Sequence, residues 1–261
     1  MEILVCVKRV PDSAENEIAV APGGADIKRD DLVYSVNEWD NYAVEEAIQI
    51  VERDGGNVTV IAVGDNESED IVRRQMAMGA SEGLLATDSA FDGSDGLGIA
   101  TILAAAARKG NYDLILTGAQ ADDGAAQVGG MLAALLDRPY ASIVNMIETN
   151  GAGLRIGREI EGGAQEINEI ELPCVLSVQT GINEPRYVGI RGIRKVASVE
   201  IPVLDAGTLG VGDTVGASAA KVRRVDYFVP AVGAGAEMIE GSTEEVADKI
   251  VALLKAKGGI K

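Results

Sequence analysis

The chain has 261 residues and a mass of 27.1 kDa, which suits one large α/β domain with an appendage. Hydrophobic residues make up 47% and aromatic residues only 3%, so we expect an aliphatic core and exclude wholesale disorder and a disulfide scaffold. A net charge of −18 disfavours nucleic acid and anionic membranes as partners, and the absence of histidine removes the commonest catalytic base and zinc ligand. We therefore predict no metal site and no catalytic residues.

Four strands and four helices alternate in the first half of the chain. Short apolar runs predict strands at 2–8, 57–63, 83–86 and 113–117, and helical spacing predicts helices at 37–52, 68–78, 94–109 and 127–136. This alternation produces right-handed βαβ crossovers and an open parallel sheet with helices on both faces, a Rossmann-like fold.

The pattern changes after Pro139. Strand-like runs at 141–148, 153–159, 164–170 and 174–179 are predicted to add antiparallel edge strands, with a hairpin at Asn150-Gly151. Residues 199–241 lack a clear period, and Ser242 with Glu245 forms a capping box that opens a last helix. We predict a nucleotide-binding domain over 1–198, followed over 199–261 by an extended arm and helix that lie on a partner.

The loop at 118–128 is the strongest candidate for a ligand site. It follows a predicted strand, leads into a helix, and has small residues that would let a phosphate approach backbone N–H groups. It lacks both the Walker and the Gly-x-Gly-x-x-Gly patterns, so a turn that binds nothing is the alternative. Asp122 and Asp123 fit a solvated turn, and Cys6 fits a buried small hydrophobe. No leader or membrane-spanning run is predicted, and we expect a cytoplasmic protein.

Several motifs, taken in order, resemble the β subunit of electron transfer flavoprotein over essentially the whole chain. They are ILVCVKR at 3–9, NEWD at 37–40, AVEEA at 43–47, AMGA at 77–80, GAQADD at 118–123, QVG at 127–129, REIEGG at 158–163 and GINEPRY at 181–187. The loop between Ala121 and Gln127 is one residue shorter than in many relatives, and 12–15 lacks the aromatic residue that relatives often place near the flavin.

The resemblance implies an αβ heterodimer in which the α subunit holds most of one FAD and the β subunit buries an AMP. The flavin would carry electrons from a donor dehydrogenase, of the acyl-CoA type or similar, to a membrane quinone oxidoreductase or another acceptor. The β subunit itself would not be an enzyme. The implied cofactor contacts are Cys6, Asn37, Glu38, Trp39, Asp40, Asp65, Gly118, Gln120, Asp123, Ala126, Gln127 and Val128.

The resemblance also implies two sites for protein contacts. A docking segment at 187–195, expected as a loop, would hold the dehydrogenase through Tyr187, Ile190, Ile193 and Lys195, and Ile190 would be the anchor. Glu159 would help to position the mobile flavin domain. From the residues alone, Ile190 fits an ordinary core position of a strand.

Two other functions remain open. An electron-bifurcating relative would hold a second FAD in place of AMP, and QVG at 127–129 also occurs in that branch. A free-standing adenine-nucleotide-binding module would need only the first half of the chain. An enzyme with its own active site is disfavoured because no nucleophile–base pair is evident.

Overall fold

The computed structural model describes residues 1–151, 153–233 and 235–260. The strands in these ranges are β1 (Glu2–Val7), β2 (Arg9–Pro11), β3 (Tyr34–Val36), β4 (Asn57–Val63), β5 (Glu82–Ala86), β6 (Leu114–Gly118), β7 (Tyr140–Asn150), β8 (Gly153–Ile160), β9 (Ala164–Glu171), β10 (Cys174–Val178) and β11 (Val203–Leu204). The helices are α1 (Glu38–Asp54), α2 (Glu69–Met78), α3 (Gly96–Ala107), α4 (Val128–Leu136), α5 (Ile190–Val196), α6 (Ala206–Leu209) and α7 (Thr243–Ala256).

The main sheet of the described residues has the strand order β11-β5-β4-β1-β6-β10-β7-β8-β9. Strands from β11 to β7 are parallel to their neighbours, and β8 and β9 are antiparallel. The chain builds outward from β1 through β4 to β5, then returns to place β6 on the other side of β1. The strand order therefore reverses between β1 and β6, and a crevice for a ligand is expected beyond the carboxyl ends of these two strands.

The core has two layers because successive side chains of a strand point to opposite faces. Ile3 and Val5 of β1 pack in the layer that contains α1 and α2, whereas Leu4 and Cys6 pack in the layer that contains α3 and α4. A strand buried on both faces needs a continuous apolar run, and β1 has one. The predicted α/β fold with helices on both faces is confirmed.

The strand predicted at 174–179 was wrongly placed as an antiparallel edge strand. β10 lies inside the sheet, parallel to both β6 and β7, with Leu176 paired to Leu116 and Ala141. All five of its residues are buried, which explains the apolar sequence CVLSV. Among the described residues, β8 and β9 form the antiparallel edge. β7 lies between β10 and β8, parallel to β10 and joined to β8 by the predicted hairpin turn.

Other elements were not predicted. β2 and β3 form a small antiparallel pair outside the main sheet, and residues 190–196, expected as a loop, form the helix α5.

The chain forms two compact units. The larger contains Met1–Ile18 and Lys28–Val225, so it extends past the predicted boundary at 198 and includes β11, which pairs with β5. The smaller contains Ala19–Ile27 and Asp226–Lys261. In the smaller unit, α7 begins at the predicted capping box of Ser242 and Glu245. None of the described helices is long and apolar enough to cross a membrane.

We expect Leu176→Ala to lower the free energy of unfolding by about 3 kcal/mol, because it leaves a cavity in the centre of the sheet. Ile167→Ala, on the edge strand β9 where Ile167 is 43% exposed, should cost less than about 1 kcal/mol. Urea unfolding of both variants measures the difference. Equal losses would contradict the central position of β10.

Candidate functional site

A buried carboxylate joins the ends of β1 and β6 at the crevice. Asp40, in the first turn of α1, accepts a hydrogen bond from the backbone N–H of Lys8 at 2.8 Å and another from that of Gly118 at 3.0 Å. The two strands part at this point, so the sheet ladder no longer holds them together. Asp40 supplies the acceptors that the ladder lacks there.

Asn37 fixes the start of α1 against the same two loops. Its backbone N–H donates to the carbonyl of Lys8 at 2.9 Å, and its side-chain amide donates to the carbonyl of Gln120 at 2.8 Å. Asn37 is buried, so this amide replaces hydrogen bonds to water. The loop at 118–128 is thereby tied to α1.

Burial strongly affects the two titratable groups below the crevice. It raises the pKa of Asp40 to about 7, although the backbone N–H groups of Lys8 and Gly118 favour the charged form. Burial, together with the negative charge of Asp40, also raises the pKa of the Cys6 thiol far above its usual range. Cys6 is therefore an inert, buried side chain, as its sequence position suggested.

Two glycines let helices approach the strand ends closely. A Cβ on Gly118 would lie 2.6 Å from the Cβ of Trp39 and 3.0 Å from the backbone nitrogen of Asp40. A Cβ on Gly129, in the first turn of α4, would lie 2.9 Å from the Thr117 hydroxyl. Larger residues at either position would push a helix away from the crevice.

Both helices that begin at the crevice lack a side-chain cap. The Asn37 side chain caps no backbone N–H of α1, and the Gln127 side chain caps none of α4. By contrast, Asp95 caps α3 and Ser242 caps α7. Uncapped N-terminal N–H groups carry a partial positive charge and bind anions such as phosphate.

The turn into α4 is held in an unusual conformation. Ala126 has φ 53°, in the left-handed region that is unfavourable for residues with a Cβ. Upstream, the Lys8 ammonium lies 2.5 Å from a carboxylate oxygen of Asp123, and the Arg224 guanidinium donates to the Asp123 carbonyl at 2.7 Å. The loop is therefore fixed by charged contacts at its middle and strained near its end.

The remaining predicted cofactor contacts have distinct places around the crevice. Glu38 is exposed in the first turn of α1, and Trp39 donates from its indole N–H to the Gln179 side chain at 3.2 Å. Asp65 caps the short 3₁₀ helix after β4 by accepting from the Ser68 N–H at 3.1 Å. Val128 is the first residue of α4.

Sequence reasoning missed several residues in these contacts. Lys8 directly follows β1, and Arg224 belongs to a basic cluster at 221–224, so both carried a signal in position or charge. Gln179 carried no such signal, yet it connects a predicted cofactor contact, Trp39, with the predicted domain-positioning residue, Glu159. It accepts from Trp39 and donates to a carboxylate oxygen of Glu159 at 3.5 Å.

The docking segment at 187–195 is mostly the helix α5. Tyr187 is 93% exposed, Ile190 68% and Ile193 52%, and Lys195 is also exposed. The exposure of Ile190 contradicts its interpretation as a strand core residue. Three large apolar side chains exposed in one short segment are typical of a contact surface for another protein.

Comparison with known proteins identifies the family. The family model described as the electron transfer flavoprotein domain matches residues 26–209. The chain belongs to the electron transfer flavoprotein β-subunit family. It is 35% identical to the electron transfer flavoprotein subunit beta of Methylophilus methylotrophus, over 97% of this chain and 98% of that protein.

Two further relatives are similar over the same extent. The electron transfer flavoprotein subunit beta of Thermoanaerobacterium thermosaccharolyticum is 36% identical over 98% of this chain and 99% of its own. The caffeyl-CoA reductase-Etf complex subunit CarD of Acetobacterium woodii is 35% identical over the same shares. The chain thus matches these relatives over nearly its whole length and nearly the whole of theirs.

The raised pKa of Asp40 predicts a pH dependence of stability. Between its ordinary value of 3.8 and about 7, the folded protein binds a proton that the unfolded chain has released. The contribution of Asp40 is therefore present at low pH and is lost as the pH rises toward 7. We expect the free energy of unfolding of the wild type, minus that of Asp40→Asn, to fall by roughly 2–4 kcal/mol from pH 4 to 7.

Urea unfolding at a series of pH values measures this difference. Asp122→Asn, at an exposed position of the 118–128 loop, is the control and should parallel the wild type. Parallel curves for Asp40→Asn and the wild type would contradict the prediction.

Proposed function

We propose that this chain is the electron-carrier β subunit of a cytoplasmic heterodimer, in which it buries an AMP and an α subunit holds the FAD. The observation that carries the proposal is the crevice between β1 and β6, built by Asn37 and Asp40 and bordered by two uncapped helix N-termini. The FAD, when bound, supplies the electron transfer. This chain contributes structure and contacts rather than catalytic residues.

The crevice suits an adenine nucleotide. The N–H groups at the start of α4, with Gln127 and Val128, would hold the phosphate. The close approach at Gly118 fixes the start of α1 beside them. Asn37 and Asp40 keep the loops in place, and Lys8 adds a cation beside the loop. A second FAD in this crevice is the alternative, and it would make the heterodimer a bifurcating one.

The smaller unit is the proposed surface for the α subunit. None of the residues of α7 is buried, although the helix contains Ile250, Val251, Leu253 and Leu254. Upstream in the same unit, Phe228, Val232 and Met238 are more than three-quarters exposed. Apolar surface of this extent is characteristic of a permanent interface with another subunit.

The docking segment is the proposed contact for a donor dehydrogenase, of the acyl-CoA type or similar. Ile190 would enter a pocket of that protein, and Glu159 would help to orient the flavin domain. The reduced flavin would then pass its electrons to a membrane quinone oxidoreductase or another acceptor. A single apolar anchor suits this role, because a carrier must bind its donor and release it.

Nucleotide content tests the proposed site. Purified αβ heterodimer should release about one AMP and one FAD on denaturation, measured by mass spectrometry. We expect Gly118→Ala to lose most of the AMP and keep the FAD, because its Cβ would push against Trp39. Gly212→Ala, where the nearest atom to a Cβ is 4.0 Å away, is the control. Two FAD and no AMP would establish the bifurcating alternative.

Removal of the anchor tests the docking segment. We expect Ile190→Ala to raise the KM of a reduced acyl-CoA dehydrogenase for the heterodimer by about 30-fold, which corresponds to a hot spot of ~2 kcal/mol. Ile167→Ala, at a partly exposed position of β9, should leave the KM unchanged. Equal kinetics for both variants would refute the docking role.

A further inference from the structure

Arg186, immediately before the docking segment, binds two carboxylates of α1. Its guanidinium donates to Glu45 from Nε at 2.9 Å and from Nη2 at 3.0 Å, and to Glu52 from Nη1 at 2.7 Å and from Nη2 at 2.9 Å. Its backbone N–H also donates to Glu45 at 3.1 Å. A planar guanidinium can satisfy two carboxylates in this way, whereas an ammonium cannot.

Glu45 is an unusual partner because it is only 2% exposed. A carboxylate buried in a helix interface is costly unless it is paired and hydrogen-bonded. Burial alone would raise the pKa of Glu45, but the hydrogen bonds from Arg186 and Gln49 outweigh it and the pKa is lowered. The pair therefore stays charged, and it fixes Arg186 in one position on α1.

The other end of the docking segment is fixed to α2. Val196 is buried, and the Arg73 guanidinium of α2 donates to the carbonyls of Val196 at 2.5 Å and Val199 at 3.0 Å. Between these ends, a Cβ on Gly192 would lie 3.3 Å from the carbonyl carbon of Ala77, so α5 lies close against α2. The segment is held at both ends while Ile190 points to solvent.

We propose that Arg186 is a positioning residue for partner docking, which fixes the docking segment on α1 so that Ile190 is presented in one place before contact. This inference rests on the proposed docking function. A segment that is ordered in advance loses less conformational entropy on binding. When only a fraction of molecules hold the competent arrangement, the apparent dissociation constant rises by the inverse of that fraction.

The experiment uses the αβ heterodimer with its cofactors, and an acyl-CoA dehydrogenase reduced by its acyl-CoA as donor. Arg186→Gln, Arg186→Lys and Glu45→Gln are compared with Ile190→Ala and with the control Arg155→Gln. Arg155 makes an exposed ion pair with Glu148, at 2.7 Å, on the β7–β8 hairpin, so it controls for the loss of an arginine charge alone. Hydrogen exchange of 187–196 reports the order of the segment, and bound flavin and nucleotide report the integrity of the rest.

We expect all three variants of the Arg186–Glu45 pair to raise the KM about 3- to 10-fold with kcat unchanged, and to speed exchange in 187–196. Arg186→Lys should not keep the wild-type KM, because lysine keeps the charge but lacks the planar guanidinium that bonds both carboxylates. Arg186→Gln added to Ile190→Ala should have little further effect, because the anchor that Arg186 positions is already gone.

Three results would overturn the inference. If Ile190→Ala raises the KM but Arg186→Gln and Glu45→Gln change neither KM nor exchange, the docking role stands and the positioning role falls. If Arg186→Lys matches the wild type, the guanidinium bound to both carboxylates is not what fixes the segment, and the inference falls. If Ile190→Ala itself has no effect on KM, the docking function fails first, and the role of Arg186 falls with it.

Discussion

The hydrogen bonds from the backbone N–H groups of Lys8 and Gly118 to Asp40 are the constraint on which the site depends. Parallel strands are held together by their ladder, but the ladder ends where the chain leaves β1 and β6 in different directions. Without acceptors there, two backbone N–H groups would be left unpaired at the edge of the core. A carboxylate can accept hydrogen bonds from both N–H groups at once. Burying that carboxylate is unfavourable, and these hydrogen bonds offset the loss of hydration.

The same helix serves both proposed sites. Asn37 and Asp40 lie at the start of α1 and hold the loops of the crevice, while Glu45 and Glu52 lie farther along it and hold Arg186. A helix moves as a rigid element because its backbone bonds are internal. The docking segment and the proposed nucleotide crevice are therefore both positioned by α1, although the two sites share no residue.

Local sequence patterns were enough for elements whose pattern matches their environment. The strand predicted at 57–63 is β4 residue for residue, and the capping box at Ser242 begins α7. β10 was misplaced because strand order is a property of the whole sheet, although five buried residues distinguish it from the polar β9. α5 was missed because its seven residues include Gly192, and its packing against α2 replaces the helix propensity that it lacks.

The site depends on contacts between distant parts of the chain, which no local pattern reports. Asp40 reaches Gly118 across 78 residues, and Arg186 reaches Glu45 across 141. Family motifs pointed to Asn37 and Asp40 as ligand contacts, but the structure shows them bonded to backbone groups of the loops. Their side chains therefore contribute to the proposed nucleotide site first by shaping the crevice.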